Sequence, residues 1–262
     1  MVEWLVFALI GAVAGIFSGL LGLGGGLIIV PCLVAVFTWQ ALPEAYLMHI
    51  AVGTSLMTIT VTSLSSSYAH HQYRHINWQL FSGLLPSLLA GSLAGAYFAT
   101  LFSSSVLQRG FALYVFFVAI RMWFPLLPSV KAVFLKKKML SVFGLFAGSI
   151  SALVGIGGGS LIVPYLIMAK QPMQNAIGTS AVCGFPISVA AVSGFIMFGQ
   201  FEGVMDNQWI MGEIHWQAVI GIISTSILFS ILGARLTKTL PVKVLKQIFS
   251  FVLFSVAIYL IN

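Results

Sequence analysis

Charged side chains are scarce in this sequence. Only 6% of its 262 residues are Asp, Glu, Lys or Arg, and 60% are hydrophobic, whereas a typical soluble domain has about 25% charged residues. This composition excludes an ordinary water-soluble fold and indicates a membrane protein. The twelve basic residues outnumber the five acidic ones, but they lie between apolar segments and form no continuous basic stripe. We therefore expect no nucleic-acid partner.

Cysteine is also nearly absent. Cys32 and Cys183 lie in separate apolar stretches, which gives no support to a disulfide framework or a cysteine-rich metal site. His70, His71 and His75 cluster near Arg74, but no thiolate or carboxylate accompanies them, so we expect a solvated, lipid-facing cluster rather than a metal site or a proton relay. Since no nucleophile–base arrangement emerges either, we predict no enzyme activity, no metal and no cofactor.

What the sequence does contain is a duplication. GAVAGIFSGLLGLGGGLIIVP at 11–31 resembles GLFAGSISALVGIGGGSLIVP at 144–164, and AVGTS at 51–55 recurs as AIGTS at 176–180. A repeat of about half the chain, in apolar sequence, is typical of a transporter rather than of a solenoid.

The apolar stretches of each half have two lengths. A helix needs about 20 residues to cross about 30 Å of hydrocarbon, and six stretches are this long: they run roughly over 44–68, 78–101, 106–124, 173–197, 216–236 and 245–261. The stretches after the glycine clusters, about 27–38 and 161–170, are shorter. We predict an all-α polytopic membrane protein with about eight to ten membrane segments. Each repeat has three full transmembrane helices and a short helical hairpin that its glycines break, with irregular backbone buried or facing a cavity.

The basic residues predict the orientation. Five of them lie in or beside one central segment: Arg121, Lys131, Lys136, Lys137 and Lys138. The positive-inside rule makes 125–138 a basic cytoplasmic linker between a first transmembrane repeat at 1–124 and a second at 139–262. When the chain is followed outward from this linker through the predicted segments of a bacterial inner membrane, both termini lie on the periplasmic side. The two halves then have opposite orientations. We expect inverted-topology repeats, with the substrate site between them near the middle of the bilayer.

The glycine clusters are the principal candidates for that site. Glycine permits positive φ and close approach, so consecutive N–H groups can point at one spot, and a helix that begins there adds the positive end of its dipole. Such a site binds an anion without a buried cation. The alternative is that these glycines only allow close helix packing. The candidates are Gly24, Gly25, Gly26, Gly157, Gly158 and Gly159.

The AxGTS segments add candidate hydroxyl donors, namely Thr54, Ser55, Thr179 and Ser180. Small residues and hydroxyls repeat together there, so they can donate to an oxyanion beside the glycine amides. The alternative is that each hydroxyl bonds a carbonyl of its own helix.

Four further residues complete the candidates. Asn175 stands where the first repeat has Ile50, an asymmetry that distinguishes the halves. His49 is a weaker candidate: a histidine inside a membrane segment is functional by default, but this one lies near a segment end and can simply reach water. Cys32 and Cys183 are either inert small hydrophobic residues or substrate contacts.

The twin GxGGG-x(3)-VP motifs at 22–31 and 155–164, with the AxGTS segments that follow, resemble the sulfite exporter TauE/SafE family of membrane permeases. The resemblance covers essentially the whole chain. It implies transport of sulfite, thiosulfate, an organosulfonate such as sulfoacetate, or a related anion, and it implies that the matched glycines and hydroxyls surround the substrate. It leaves open both the individual anion and the direction of transport.

We therefore expect a secondary carrier whose partners are a small anion and the lipid bilayer. No paired carboxylates occur within the apolar segments, so either coupling uses histidine or ions held by backbone carbonyls, or transport is passive. A coupling ion, if there is one, is a proton or sodium. The rival interpretations are a passive anion channel and a non-transporting membrane scaffold or receptor subunit. The sequence sets no oligomeric state.

Overall fold

The computed structural model describes residues 2–22, 25–124, 137–199, 209–236 and 242–261. These residues form ten helices and one two-stranded hairpin: α1 Val2–Leu21, α2 Gly26–Trp39, α3 Glu44–Gln72, α4 Trp78–Leu101, α5 Ser104–Trp123, α6 Lys137–Val154, α7 Gly159–Met168, α8 Met173–Phe198, β1 Ile210–Met211, β2 Ile214–His215, α9 Trp216–Leu236 and α10 Val242–Ile261. Most of the linker predicted at 125–138 lies outside the described residues, as does Gly24.

The helical membrane architecture is confirmed. Within the described residues, six helices are long and apolar enough to cross a membrane, namely α1, α3, α4, α5, α8 and α9. The helices α2 and α7 are short, with 14 and 10 residues, because each begins directly after a glycine cluster and ends before a polar turn.

Both glycine clusters break a helical hairpin, as the sequence predicts. Gly22 and Gly25 have φ values of 65° and 76°, and Gly155 and Gly158 have values of 75° and 76°. Residues with a Cβ are strained in this left-handed region, so glycine allows the chain to leave one helix and begin the next within a few residues. As a result, α2 and α7 begin at buried positions.

The first helix of each half packs closely on a helix of the other half. The helix α1 lies on α9, where a Cβ on Gly15 would come 2.7 Å from the carbonyl oxygen of Ser226. In the same way α6 lies on α4, where a Cβ on Gly148 would come 2.5 Å from the carbonyl oxygen of Leu88. Small residues thus let the backbones approach, as expected for helices in a membrane.

The helices α3 and α8 form the centre of the molecule, and more of each is buried than of the other spanning helices. They cross antiparallel: Thr60 donates to the Ser188 hydroxyl at 3.1 Å, and Gly184 lies against Ser63. The helices α5 and α10 also pair antiparallel, since Gln108 donates to the Leu260 carbonyl at 3.1 Å and Ser250 to the Ala119 carbonyl at 2.6 Å.

Candidate functional site

The buried starts of α2 and α7 lie at one place between the halves. A Cβ on Gly26 would strike the carbonyl oxygen of Gly155 and come within 2.9 Å of the Cα of Ile156. Gly155 in turn lies against Val30 and Val52. The structure therefore brings the two glycine clusters together, with backbone of one half in contact with backbone of the other.

The first N–H groups of these two helices lack intrahelical acceptors, as they do in every α-helix. Among the described residues, no hydrogen bond uses the N–H groups of Gly26, Leu27, Gly159 or Ser160. Two sets of main-chain donors, each at the positive end of a helix dipole, thus lie where the two halves meet. Such a location favours negative charge.

Each glycine loop is held by a serine of the opposite half. Ser55 donates to the carbonyl oxygen of Gly155 at 2.8 Å, and Ser180 donates to the carbonyl oxygen of Gly22 at 3.3 Å. Both serines are fully buried. A hydroxyl has a single proton, so in this conformation these two serines position the loops and donate to no ligand.

Removing one of these donors should destabilise the protein. Ser55→Ala leaves the buried Gly155 carbonyl without its donor, which costs about 1–3 kcal/mol, and Ser180→Ala should cost less because its hydrogen bond is longer. Thermal unfolding in detergent checks this, with the exposed Ser105→Ala as the control. If all three variants unfold at the wild-type temperature, the serines do not hold the loops.

The two threonines of the AxGTS segments also bind the opposite half. Thr54 Oγ1 accepts from the backbone N–H of His215 at 2.9 Å, and Thr179 Oγ1 accepts from the backbone N–H of Asn77 at 2.9 Å. His215 and Asn77 each stand immediately before the tryptophan that begins α9 or α4. The threonines therefore dock equivalent segments of the repeat.

The glycines beside the threonines make this docking possible. A Cβ on Gly53 would strike the carbonyl oxygen of Glu213, and a Cβ on Gly178 would come 2.5 Å from the carbonyl oxygen of His75. We call residues 213–215, packed on Gly53 and Thr54, the hairpin joint. Residues 75–77, packed on Gly178 and Thr179, are the turn joint. Because α3 and α8 are antiparallel, the joints lie on opposite sides of the α3–α8 crossing.

A small void lies beside the glycine loops and the crossing. The space between atoms there is about 180 Å³, not all of it enclosed, and it is too narrow for a water-sized sphere. Both halves line it, and its lining residues include Ser18, Gly22, Ser63, Ser66, Gly157 and Ser180. No charged side chain lines it within the described residues. The Ser66 side chain is 1% exposed, and its hydroxyl has no hydrogen-bond partner there.

The remaining candidates lie in other surroundings. Asn175 is half-buried in the first turn of α8 and lines none of the described cavities. His49 Nε2 contacts the carbonyl oxygens of Ala99 at 3.2 Å and Phe102 at 3.0 Å, which ties α3 to the end of α4. Cys183 is buried in an apolar cluster, and Cys32 packs against another.

The expectation of a solvated histidine cluster was wrong for two of its three members. His70 is 1% exposed and His75 is 9% exposed, and their ring centroids lie 5.9 Å apart. His71 is exposed. His75 is buried because the turn joint folds its segment onto α8, a contact between halves that no local pattern reveals.

Ser66 is a further residue of the site that the sequence analysis does not single out, although it belongs to an unusual serine run, 63-SLSSS-67, inside an apolar segment.

Comparison with known proteins agrees with this architecture. The model of the family described as Sulfite exporter TauE/SafE matches residues 7–260. A probable membrane transporter protein of Haemophilus influenzae is 36% identical over 97% of this chain and 96% of its own length. The probable membrane transporter protein YunE of Bacillus subtilis is 26% identical over 99% of this chain and 97% of its own length.

A probable membrane transporter protein of Xylella fastidiosa is 28% identical over 96% of this chain and 92% of its own length. No solved structure matches the chain. The family match spans nearly the whole sequence, including both broken hairpins and both AxGTS segments. This protein therefore belongs to the sulfite exporter TauE/SafE family of multi-span membrane transporters.

Proposed function

We propose that the protein is a secondary carrier for a small sulfur-containing anion such as sulfite, thiosulfate or an organosulfonate, in a bacterial inner membrane. The observation that carries this proposal is the meeting of the α2 and α7 starts beside a buried, hydroxyl-lined void. Residues of both halves line this void, and the anion would bind there when opening of a joint widens it.

The chemistry of the void suits an anion that must bind and leave again. It is lined by neutral groups, among them the unpartnered Ser66 hydroxyl. The positive ends of the α2 and α7 dipoles begin within four residues of the lining glycines Gly22 and Gly157. Neutral donors offer an oxyanion several hydrogen bonds without the strong attraction of a buried lysine or arginine. Transport requires such a balance, because a site that holds its ion too tightly does not release it.

The packing supports halves of opposite orientation. The equivalent helices α3 and α8 cross antiparallel, and so do the equivalent helices α5 and α10. We place the linker in the cytoplasm and the termini in the periplasm, since acids and bases then separate across the membrane. A site between inverted repeats near the bilayer midplane is the usual location in secondary transporters.

The two joints favour a carrier over an open channel. They lie on opposite sides of the α3–α8 crossing, and the void between them admits no water-sized sphere. Opening one joint while the other stays closed would expose the void to one side at a time. A carrier predicts saturable flux and counterflow in proteoliposomes, whereas a channel gives flux without counterflow and a scaffold subunit gives none.

The first experiment identifies the substrate by measuring which anions bind. We expect purified protein to be thermally stabilised by at least one of sulfite, thiosulfate and sulfoacetate, and less by carboxylates of similar size. The stabilising anion is then used for flux and counterflow. Absence of flux for every anion that binds would contradict the carrier.

Ser66→Ala should weaken transport without weakening the fold. A hydrogen bond to a charged partner is worth about 1.5–3 kcal/mol, so we expect the half-saturating anion concentration to rise about tenfold or more. The unfolding temperature should not fall, because the hydroxyl has no partner to lose.

The matched control is Ser67→Ala. Its hydroxyl is also buried without a partner, but it does not line the void. Equal transport by both variants would remove Ser66 from the binding site.

A further inference from the structure

Glu213 is a buried carboxyl group in the turn between β1 and β2. Its side chain is 3% exposed, and neither carboxylate oxygen has a hydrogen-bond partner among the described residues. An ionised carboxylate in such a location loses its hydration and gains nothing in return. Burial accordingly raises the pKa of Glu213 to about 8, which means that the buried group is neutral near pH 7.

Within the part of the chain that the structure describes, no ionisable group hydrogen-bonds to the Glu213 carboxylate. On α3, His49 is one turn from Gly53, but its ring contacts the Ala99 and Phe102 carbonyls. His215 Nδ1 accepts from the Ala218 N–H at 3.3 Å, and burial lowers the pKa of His215.

On α1, the Glu3 carboxylate accepts from the Gln40 and Gln217 side chains at 3.0 and 3.1 Å. Gly199, directly after α8, lies close to the Glu213 carboxyl group: a Cβ added to Gly199 would lie 3.1 Å from Glu213 Oε1. Burial is the cause of the raised pKa of Glu213, and its own protonation decides its charge.

The backbone of Glu213 is part of the hairpin joint. Its carbonyl oxygen packs on Gly53, and two residues later the His215 N–H donates to Thr54. The residue whose carboxyl group is buried is thus the residue whose main chain docks on α3. Separating this joint would expose the carboxyl group to water, so joint closure and burial of Glu213 are one event.

We propose that Glu213 is a proton-binding site of the transport cycle, and that proton binding there allows the hairpin joint to close. This inference rests on the proposed carrier function for its role in transport. The neutral acid tolerates burial, whereas the carboxylate gains hydration when the joint opens. Closing the joint therefore takes up one proton, and opening it above the pKa of an exposed carboxyl group releases that proton.

The turn joint carries a base at the equivalent position. His75 and Glu213 each stand three residues before the tryptophan of the following helix. The His75 ring is 9% exposed, with the rings of His70 and Tyr73 at 5.9 and 5.8 Å. Both joints thus bury an ionisable residue at the equivalent position of the repeat, a carboxylic acid in one and a histidine in the other.

The sign and size of the pH effect follow from linkage. An exposed glutamate has a pKa near 4.3, and the buried group has a pKa of about 8. Between these values the closed joint holds a proton that the open joint lacks, so each unit rise in pH lowers the closed-to-open ratio about tenfold. Above about pH 8 both forms are ionised, and the dependence ends.

Hydrogen exchange measures this ratio at the His215 N–H, which is bonded to Thr54 in the closed joint. After correction for intrinsic exchange rates, protection of the peptide covering 209–216 should fall about tenfold per unit between pH 6 and 8 in the wild type. Glu213→Gln should be independent of pH over this range, and so should Glu213→Met, which guards against failure of one variant to fold. The exposed Glu44→Gln should behave as the wild type.

Anion flux provides the functional readout. We expect flux in the wild type to change with the pH on the Glu213 side of the membrane, and flux in Glu213→Gln to lose that dependence. Hydrogen exchange needs no substrate, so pH-dependent protection without flux of any anion contradicts the carrier and leaves the proton site standing. Flux with the same protection profile in wild type and Glu213→Gln overturns the proton site and leaves the carrier standing.

Discussion

Gly26→Ala is expected to abolish anion flux. The added Cβ strikes the Gly155 carbonyl oxygen and lies 2.9 Å from the Ile156 Cα, and backbone atoms cannot rotate away as a side chain can. The start of α2 must then shift from the opposite glycine loop, which separates the two sets of main-chain donors. Overpacking of this kind costs about 1–3 kcal/mol, so the unfolding temperature should fall while the protein still inserts. Flux in proteoliposomes and thermal unfolding measure the two effects.

Gly110→Ala is the matched control. This glycine is also helical, but a Cβ there would meet nothing within 4 Å. Because alanine is preferred over glycine in a helix by about 0.5–1 kcal/mol, the control should keep full flux and unfold no earlier than the wild type. Wild-type flux in Gly26→Ala would show that transport does not need the contact between the glycine loops.

The two joints should be equally intolerant of a methyl group. Gly53→Ala drives a Cβ into the Glu213 carbonyl, and Gly178→Ala does the same to the His75 carbonyl. Each variant displaces one joint from the helix on which it packs and weakens the hydrogen bond to Thr54 or Thr179. If alternation requires both joints, flux should fall at least about a hundredfold in either variant, which corresponds to about 2.7 kcal/mol.

Hydrogen exchange shows whether the damage is local. Gly53→Ala should lose protection in the peptide that covers 209–216, and Gly178→Ala in the peptide that covers 74–80. Gly83→Ala serves as the control, since its Cβ would meet only Leu140 Cδ1 at the ordinary distance of 3.6 Å. Wild-type flux from a variant with a lost joint would mean that the joints do not control access.

The sequence predicts the helices and their breaks because both depend on local features. Apolar length sets the spanning helices, and the positive φ values of Gly25 and Gly158 require a residue without a Cβ. The duplication adds that both breaks lie in equivalent places. The bounds agree well: the stretch expected over about 27–38 is the helix Gly26–Trp39.

The partners of the polar side chains are less accessible to sequence reasoning. The sequence predicts that the candidate hydroxyls bind a ligand or a carbonyl of their own helix, yet Ser55 donates to Gly155 and Thr54 accepts from His215 in the other half. Nothing near either residue in the chain indicates such a partner, because tertiary packing brings the two segments together. Whether these hydroxyls also reach an anion in another conformation stays a prediction.

Burial of the ionisable groups depends on tertiary structure as well. Glu213 follows a polar stretch and looks like a solvated loop residue, but the β1–β2 hairpin folds it onto α3. A pattern of paired carboxylates within apolar segments therefore does not reveal it. Ser66 shows the same limit, since its unusual surroundings exist only where Gly22 and Gly157 approach α3.

In the mechanism that we propose, a sulfur oxyanion binds between the two broken-helix starts, within reach of Ser66. Selenite has the shape and charge of sulfite, and its selenium scatters anomalously, so its position can be measured directly in crystals of protein that transports it. We expect one strong anomalous peak between Gly22 and Gly157, within hydrogen-bonding reach of the Ser66 hydroxyl, and no such peak in Ser66→Ala at the same concentration. A transported selenite that occupies another part of the molecule and leaves this void empty would contradict the account.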